Sequence, residues 1–270
     1  MPFDVTDFKT LMELEPHGPD VFVGVSPSYP WGRVYGGQVV AQALRAACET
    51  VDDAFQVHSL HSYFIRGGDY DEPIRYEVDR IRNGRSFLTR RVVARQSMGP
   101  ILNLSVSFQI KEGAVDVQEC TMPTDLSQPE DLRPSEWGPI LLTRRLKKQG
   151  ARALAWVRVA GEIGEDPIAQ ACALAYTSDE LPTDAASRSH PLTASLGDGP
   201  GDYGKAFVGA SLDHSIWFHR PGRFDDWVLH DFQGHGVVGA RGLTIGQLYS
   251  RSGVHLATVA QEILIRERTR

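Results

Sequence analysis

Four histidines fall into two spaced pairs, His58 with His61 and His214 with His219. Paired imidazoles at such spacing can share a metal ion if a cysteine or carboxylate completes the set. No cysteine or carboxylate cluster accompanies either pair, so the expectation is neutral, hydrogen-bonded strand histidines and no metal. Five arginines, Arg80, Arg82, Arg85, Arg90 and Arg91, are dense enough to receive a phosphate, although a solvated strand face is the commoner explanation. Asp179 stands near the end of an apolar helical stretch. A carboxylate there opposes the helix dipole, and that conflict points to a role beyond solvation. Ser211 and Gln261, taken alone, are ordinary strand residues. The sequence contains neither a GxxxxGK[ST] phosphate loop nor a GxSxG nucleophile elbow, which disfavours a covalent serine hydrolase.

The elements that must position these groups come from a chain of 270 residues, 41% hydrophobic and 23% charged. That is long for one ordinary domain and comfortable for two small ones. The net charge of -6 argues against nucleic acid as the main partner, because a phosphate backbone rewards a basic surface. Cys48, Cys120 and Cys172 are widely spaced and odd in number, and are expected to be reduced core thiols of a cytoplasmic protein. The first ten residues carry Asp4 and Asp7 and no apolar signal-peptide core. No apolar run reaches the roughly 18 residues of a membrane span. The last residues, Glu267-Arg268-Thr269-Arg270, do not form a Ser-Lys-Leu type peroxisomal address.

Self-similarity organises the chain. His58-Ser59-Leu60-His61-Ser62-Tyr63-Phe64 in the first half matches Ser211-Leu212-Asp213-His214-Ser215-Ile216-Trp217-Phe218 in the second. Three strand-like stretches follow each: residues 74–81, 86–95 and 101–110, then residues 227–232, 240–249 and 254–265. His61 and His214 stand 153 residues apart, Gln109 and Gln261 stand 152 apart, and so constant an offset indicates duplication. Asn83-Gly84 is a hairpin signal, and Met98-Gly99-Pro100 and Ser252-Gly253 break the next pair in each half. One helix precedes each set, over residues 36–51 and residues 167 to about 179. Both are apolar enough to require cover on most sides. An antiparallel sheet curled around each helix provides it. Residues 112–152 read as a linker, helical near 139–148, and residues 183–205 as a second irregular stretch.

Three motifs add a family resemblance. Val34-Tyr35-Gly36-Gly37-Gln38-Val39-Val40-Ala41-Gln42-Ala43-Leu44, Val57-His58-Ser59-Leu60-His61-Ser62-Tyr63-Phe64 and Asp213-His214-Ser215-Ile216-Trp217-Phe218-His219-Arg220 resemble the type II acyl-CoA thioesterases (TesB-like), in the right order over nearly the whole chain. Ser86-Phe87-Leu88-Thr89-Arg90-Arg91-Val92 also fits. The resemblance implies an α+β double hot-dog fold: two tandem repeats, each an antiparallel sheet wrapped around a central helix, with domains 1–111 and 153–270 joined by the linker 112–152. It further implies hydrolysis of fatty acyl-CoA to free acid and CoA by a water held by an Asp, a hydroxyl and a Gln. These fall on Asp179, Ser211 and Gln261. Ser211 replaces the threonine of some members and keeps the hydroxyl. His58 is a secondary candidate to line the substrate cleft.

Such chemistry needs no cofactor, since a thioester is already activated. Aligning Ala41-Gln42-Ala43 with Ala169-Gln170-Ala171 puts Val51 at the place of Asp179, and His58 stands opposite Ser211, so one site per chain is expected. The competing functions are a hot-dog acyl-CoA hydratase or dehydratase, whose usual motif is not visible, and a non-catalytic acyl-CoA-binding module. A homo-oligomer, dimer or tetramer, is expected from the apolar outer sheet face.

Overall fold

The computed structural model describes residues 5–136, 138–147, 150–195 and 206–268. The first half contributes a short helix α1 (Phe8–Leu11), strands β1 (Glu15–Pro16) and β2 (Val21–Gly24), and helix α2 (Gly36–Cys48). Strands β3 (Phe55–Phe64), β4 (Ile74–Asn83), β5 (Phe87–Gln96) and β6 (Gly99–Ile110) follow. The second half has β7 (Ser135–Glu136), β8 (Leu141–Arg145), β9 (Arg152–Val159), α3 (Pro167–Thr177) and α4 (Pro182–Arg188). It continues with β10 (Phe207–Ser211), β11 (Asp213–Phe218), β12 (Val228–Val238), β13 (Arg241–Ser250) and β14 (His255–Glu267). All the strands join one sheet in the order β1-β2-β4-β5-β6-β3-β11-β14-β13-β12-β9-β8-β7, with β10 also on β14. The halves meet edge to edge where β3 pairs antiparallel with β11, His61 facing Ser215. Each exposed edge is thereby used to cover the other.

The two apolar helices occupy the concave faces, as their composition requires. Val40, Ala43, Leu44 and Ala47 of α2 and Cys172, Ala173 and Tyr176 of α3 are buried. Matching glutamines tie each helix to the chain around it. Gln42 donates to the carbonyls of Leu11 and Val25 and accepts from the Tyr76 hydroxyl. Gln170 donates to the Gly164 carbonyl and accepts from the Phe224 amide. This is the double hot-dog architecture.

Two expectations are corrected. Residues 139–147 are not helical, and residue 148 lies outside the described residues: Leu141–Arg145 is strand β8, paired with β9. Leu141 and Thr143 are buried while Leu142 and Arg144 are only partly covered, an alternation of period two that suits a half-buried strand. The irregular stretch expected from residue 183 begins instead with helix α4, started by Pro182 at its first turn. Its Ala185, Ala186 and Ser187 are buried. Ala186 lies against the inner face, where a β-carbon on Gly242 of β13 would meet its side chain at 3.0 Å. Residues 196–205 of that stretch lie outside the described residues. Before residue 135 the linker is irregular apart from one 3-10 turn at Pro129–Asp131, and Cys120, Met122, Leu126 and Leu132 pack over Leu154, Trp156, Leu229 and Tyr249 on the outer side of the second sheet.

The repeat holds for the elements but not for the residue offset read from the sequence. His61 is exposed whereas His214 is fully buried. Across the seam His61 pairs with Ser215, and one residue back along each strand stand Leu60 and His214, both buried. Gln109 is partly exposed and alternates with buried Val106 and Phe108, while Gln261 is fully buried. A shift of one residue moves a side chain to the other face of a sheet. The inward counterpart of Gln261 is therefore Val106, which stands one step past the Ser105–His61 pair as Gln261 stands one step past Ala260–Ser215.

Candidate active site

Asp179 lies two residues beyond the end of α3, where the chain turns into α4. The C-terminal end of α3 rests against the start of α2: the Tyr35 hydroxyl donates to the Tyr176 carbonyl at 2.9 Å. Helix α2 has no side-chain cap from its own N-cap residue, Tyr35. Instead the Gly37 backbone amide faces the Asp179 carboxylate and works to lower its pKa. An acid that opposes the dipole of its own helix thus sits at the favourable, positive end of another. Only glycine permits this approach. A β-carbon on Gly36 would stand 2.6 Å from Asp179 Oδ2, and one on Gly37 would stand 2.3 Å from the Tyr176 carbonyl oxygen.

Ser211 ends β10, and Gln261 lies inside β14. At Leu212 the chain bulges: the Leu212 amide donates to the Glu262 carbonyl, and Asp213 Oδ1 accepts from the Glu262 amide at 2.7 Å. The structure brings Asp179, Ser211 and Gln261 together. Gln261 Nε2 donates to Asp179 Oδ1 at 2.8 Å and to Ser211 Oγ at 2.7 Å, and Ser211 Oγ is 3.4 Å from the same carboxylate oxygen. Behind them, His214 Nδ1 bonds Gln261 Oε1, and His214 Nε2 lies 2.8 Å from Ser178 Oγ. Burial raises the Asp179 pKa, against opposing contributions from His214, Gln261, Gly37 and Ser211. Burial also holds His214 below its ordinary value. The neighbouring Glu180 is pushed to about 7 by burial, although Arg145 and Thr143 bond it. A raised carboxylate beside a hydroxyl and an amide can take a proton from a water held between them.

The first half carries none of this at the matching place. Val106 and Leu60 stand for Gln261 and His214, and Val51 follows Thr50 as Asp179 follows Ser178. Thr50 and Ser178 are placed alike, each hydroxyl oxygen within hydrogen-bond distance of the carbonyl three residues back. Arg90, paired with Val106 as Thr244 is with Gln261, fills the space. It is fully buried and donates to Thr50 Oγ1 and to the carbonyls of Thr50, Arg82 and Thr89. Arg90 is thus a plug at the C-terminal end of α2, and Arg80 is bonded to Asp20. Both border a cavity of about 420 Å³ together with Glu49, Thr50 and Asp52. This lies at the far end of α2 from Asp179, roughly 20 Å away for a helix of this length.

His58 sits at a bulge of β3, between Val57 and Ser59. Its Nε2 is 2.8 Å from Ser107 Oγ and its ring meets Phe87 edge-on. Its described hydrogen bond goes to Ser107 and not to the trio, and burial lowers its pKa. His61 and His219 are likewise held by hydroxyls, Ser215 and Thr258. His214 and the Gly36-Gly37 start of α2 are the site components the residue pattern missed. The diglycine at a helix start, where glycine is otherwise costly, was the available signal.

Helix-wrapping sheets in tandem, with a buried carboxylate, hydroxyl and amide at one junction, define a thioester hydrolase of the double hot-dog class. Residues 131–264 match the family model described as acyl-CoA thioesterase, and residues 25–109 match that of the acyl-CoA thioesterase N-terminal domain. Acyl-coenzyme A thioesterase 8 of Homo sapiens is 34% identical, over 95% of this chain and 88% of its own. Acyl-CoA thioesterase 2 of Haemophilus influenzae is 34% identical, over 95% and 96%. The crystal structure of an acyl-CoA thioesterase II, TesB2, from Mycobacterium marinum superposes with a TM-score of 0.82 at 32% identity, covering 97% of this chain and 98% of that one. The chain belongs to the acyl-CoA thioesterase family.

Proposed function

We propose that this acyl-CoA thioesterase hydrolyses fatty acyl-CoA to free fatty acid and CoA with a water activated by Asp179 and held by Ser211 and Gln261. The observation that carries the reading is the sharing of one carboxylate oxygen, Asp179 Oδ1, by Gln261 Nε2 and Ser211 Oγ. In this mechanism Asp179 takes a proton from the water as its oxygen attacks the thioester carbon. The amide and hydroxyl fix the water's orientation. The carbonyl oxygen gains negative charge near the N-terminal end of α2, whose positive dipole end and backbone N–H groups stabilise it. Collapse of the intermediate breaks the C–S bond, and the proton passes from Asp179 to the departing CoA thiolate.

The apolar residues opposite the trio, Val51 and Val106, together with the Arg90 plug, favour one site per chain, carried by unit 153–270. Unit 1–111 supplies the α2 start, and segment 112–152 joins the two, with β7 and β8 lying within that segment. His58 belongs to this reading as a cleft residue away from the chemical step. Assembly into a dimer or tetramer is supported by the exposed Tyr63, Ile65 and Trp217, and the setting is cytoplasmic. No described helix is long and apolar enough to cross a membrane. The test is hydrolysis of a panel of acyl-CoAs by the purified protein, followed by free thiol release. Turnover that disappears in folded Asp179→Asn supports the reading; the absence of turnover on every chain length contradicts it.

A further inference from the structure

We propose that His214 is a positioning residue for hydrolysis, acting by locking the Gln261 side-chain amide with its NH2 turned toward Asp179 and Ser211. This rests on the reading of Gln261 as a water-holding group. The two ends of a glutamine amide have nearly the same shape and opposite hydrogen-bonding sense. In the observed orientation Nε2 donates to Asp179 Oδ1 and Ser211 Oγ. A flip would place Oε1 against the carboxylate oxygen and reverse the donor that faces the water. The other end of the amide decides which orientation holds, and there the partner is His214.

The proton assignment follows from the chain of partners. Gln261 Oε1 can accept and not donate, so His214 Nδ1 carries the hydrogen. Burial keeps the imidazole neutral, so Nε2 is an acceptor, and the single hydrogen of Ser178 Oγ turns to it, 2.8 Å away, and not to the Ala175 carbonyl at 2.9 Å. Ser178 immediately precedes Asp179. The relay therefore starts and ends beside the same carboxylate and fixes one tautomer and one amide orientation. The charged groups facing His214 are Asp179 and, next to it on its own strand, Asp213, and neither is its hydrogen-bond partner among the described residues. A fully buried imidazole is costly unless both nitrogens are bonded. The first half supplies the contrast: at the corresponding seam and ladder positions it has Leu60 and Val106, both buried, and no trio. A leucine therefore fits this position when no amide needs orienting.

The experiment compares His214→Leu, His214→Asn and Ser178→Ala, each alone and in the Gln261→Ala background, by kcat and KM for one acyl-CoA. Misplacing a reacting group by about 1 Å costs on the order of 10²-fold, so His214→Leu is expected to lose kcat by about that factor with KM unchanged. His214→Asn recovers most of it, because its amide nitrogen stands where Nδ1 stood. In Gln261→Ala the His214→Leu change costs nothing further. Should His214→Leu not fold, Ser178→Ala carries the same comparison, with a smaller kcat loss that vanishes in Gln261→Ala. An unchanged kcat in a folded His214→Leu protein, or an equal loss in both backgrounds, overturns the positioning role. Full activity in Gln261→Ala itself overturns the water-holding reading beneath it.

Discussion

Gly36 of the first half and Asp179 of the second are so close that a β-carbon on the glycine would stand 2.6 Å from the carboxylate. Half the chain thus supplies the carboxylate and the other half supplies the helix end that receives it. Gly36→Ala is expected to push the carboxylate aside and reduce kcat by about 10²-fold, with little change in stability, as measured by steady-state kinetics and thermal melting of the same preparation. Wild-type kcat in that variant would show that the contact does not set the position of Asp179.

The raised pKa of Asp179 predicts the acid side of the pH profile. A general base works deprotonated, so kcat/KM should fall as pH decreases through the Asp179 pKa, with a midpoint above the ordinary carboxylate value of 3.8. A profile of kcat/KM against pH reads it directly. An acid limb at or below 3.8 would mean that burial does not govern this carboxyl.

Glu180 makes a separate prediction about stability. Its pKa rises from 4.5 to about 7 on folding, so the folded state holds its proton more tightly than the unfolded state. The resulting stabilisation is complete below pH 4.5 and is lost as pH rises through about 7. Glu180→Gln removes the titration. Unfolding free energies measured across this window should therefore decline less with pH in the variant. Parallel curves for the two proteins would assign the trend to other groups.

Arg90 tests the role of the first half. Arg90→Met strips the partner from the Thr50 hydroxyl and from the carbonyls of Thr50, Arg82 and Thr89. Each buried acceptor left unpaired costs about 1–3 kcal/mol, and urea unfolding should show a loss of at least that size while kcat/KM is kept. Loss of affinity for acyl-CoA without loss of stability would instead make Arg90 a substrate contact.

Much of this was legible in the sequence, and the failures have physical causes. Helical periodicity located α2 and α3; Asn83 ends β4 with Gly84 in the turn to β5, and Ser252-Gly253 falls in the loop between β13 and β14. Asp179, Ser211 and Gln261 emerged from motif resemblance, and the structure brings them together. The residue offset failed because matching His61 with His214 or Gln109 with Gln261 equates side chains on opposite faces of the sheet. Residues near 139–148 read as helical within the linker because so short a strand as β8 shows its alternation only against its neighbour β9. His214 looked like an ordinary seam histidine, since nothing local reveals a partner 47 residues away.

The most direct test of the central claim is kcat for acyl-CoA hydrolysis by Asp179→Asn, measured beside Gln109→Ala and with folding checked by circular dichroism. The amide keeps the shape but cannot take the proton, so kcat should fall by about 10²–10⁴-fold, the usual worth of a general base, with KM little changed. Ser211→Ala and Gln261→Ala should each cost less, and double changes should be less than additive, because the three groups act on one water. Gln109→Ala, on the opposite face of its sheet, should be silent. Full activity in a folded Asp179→Asn protein, or a Gln109→Ala defect as large as that of Gln261→Ala, would contradict the single-site mechanism.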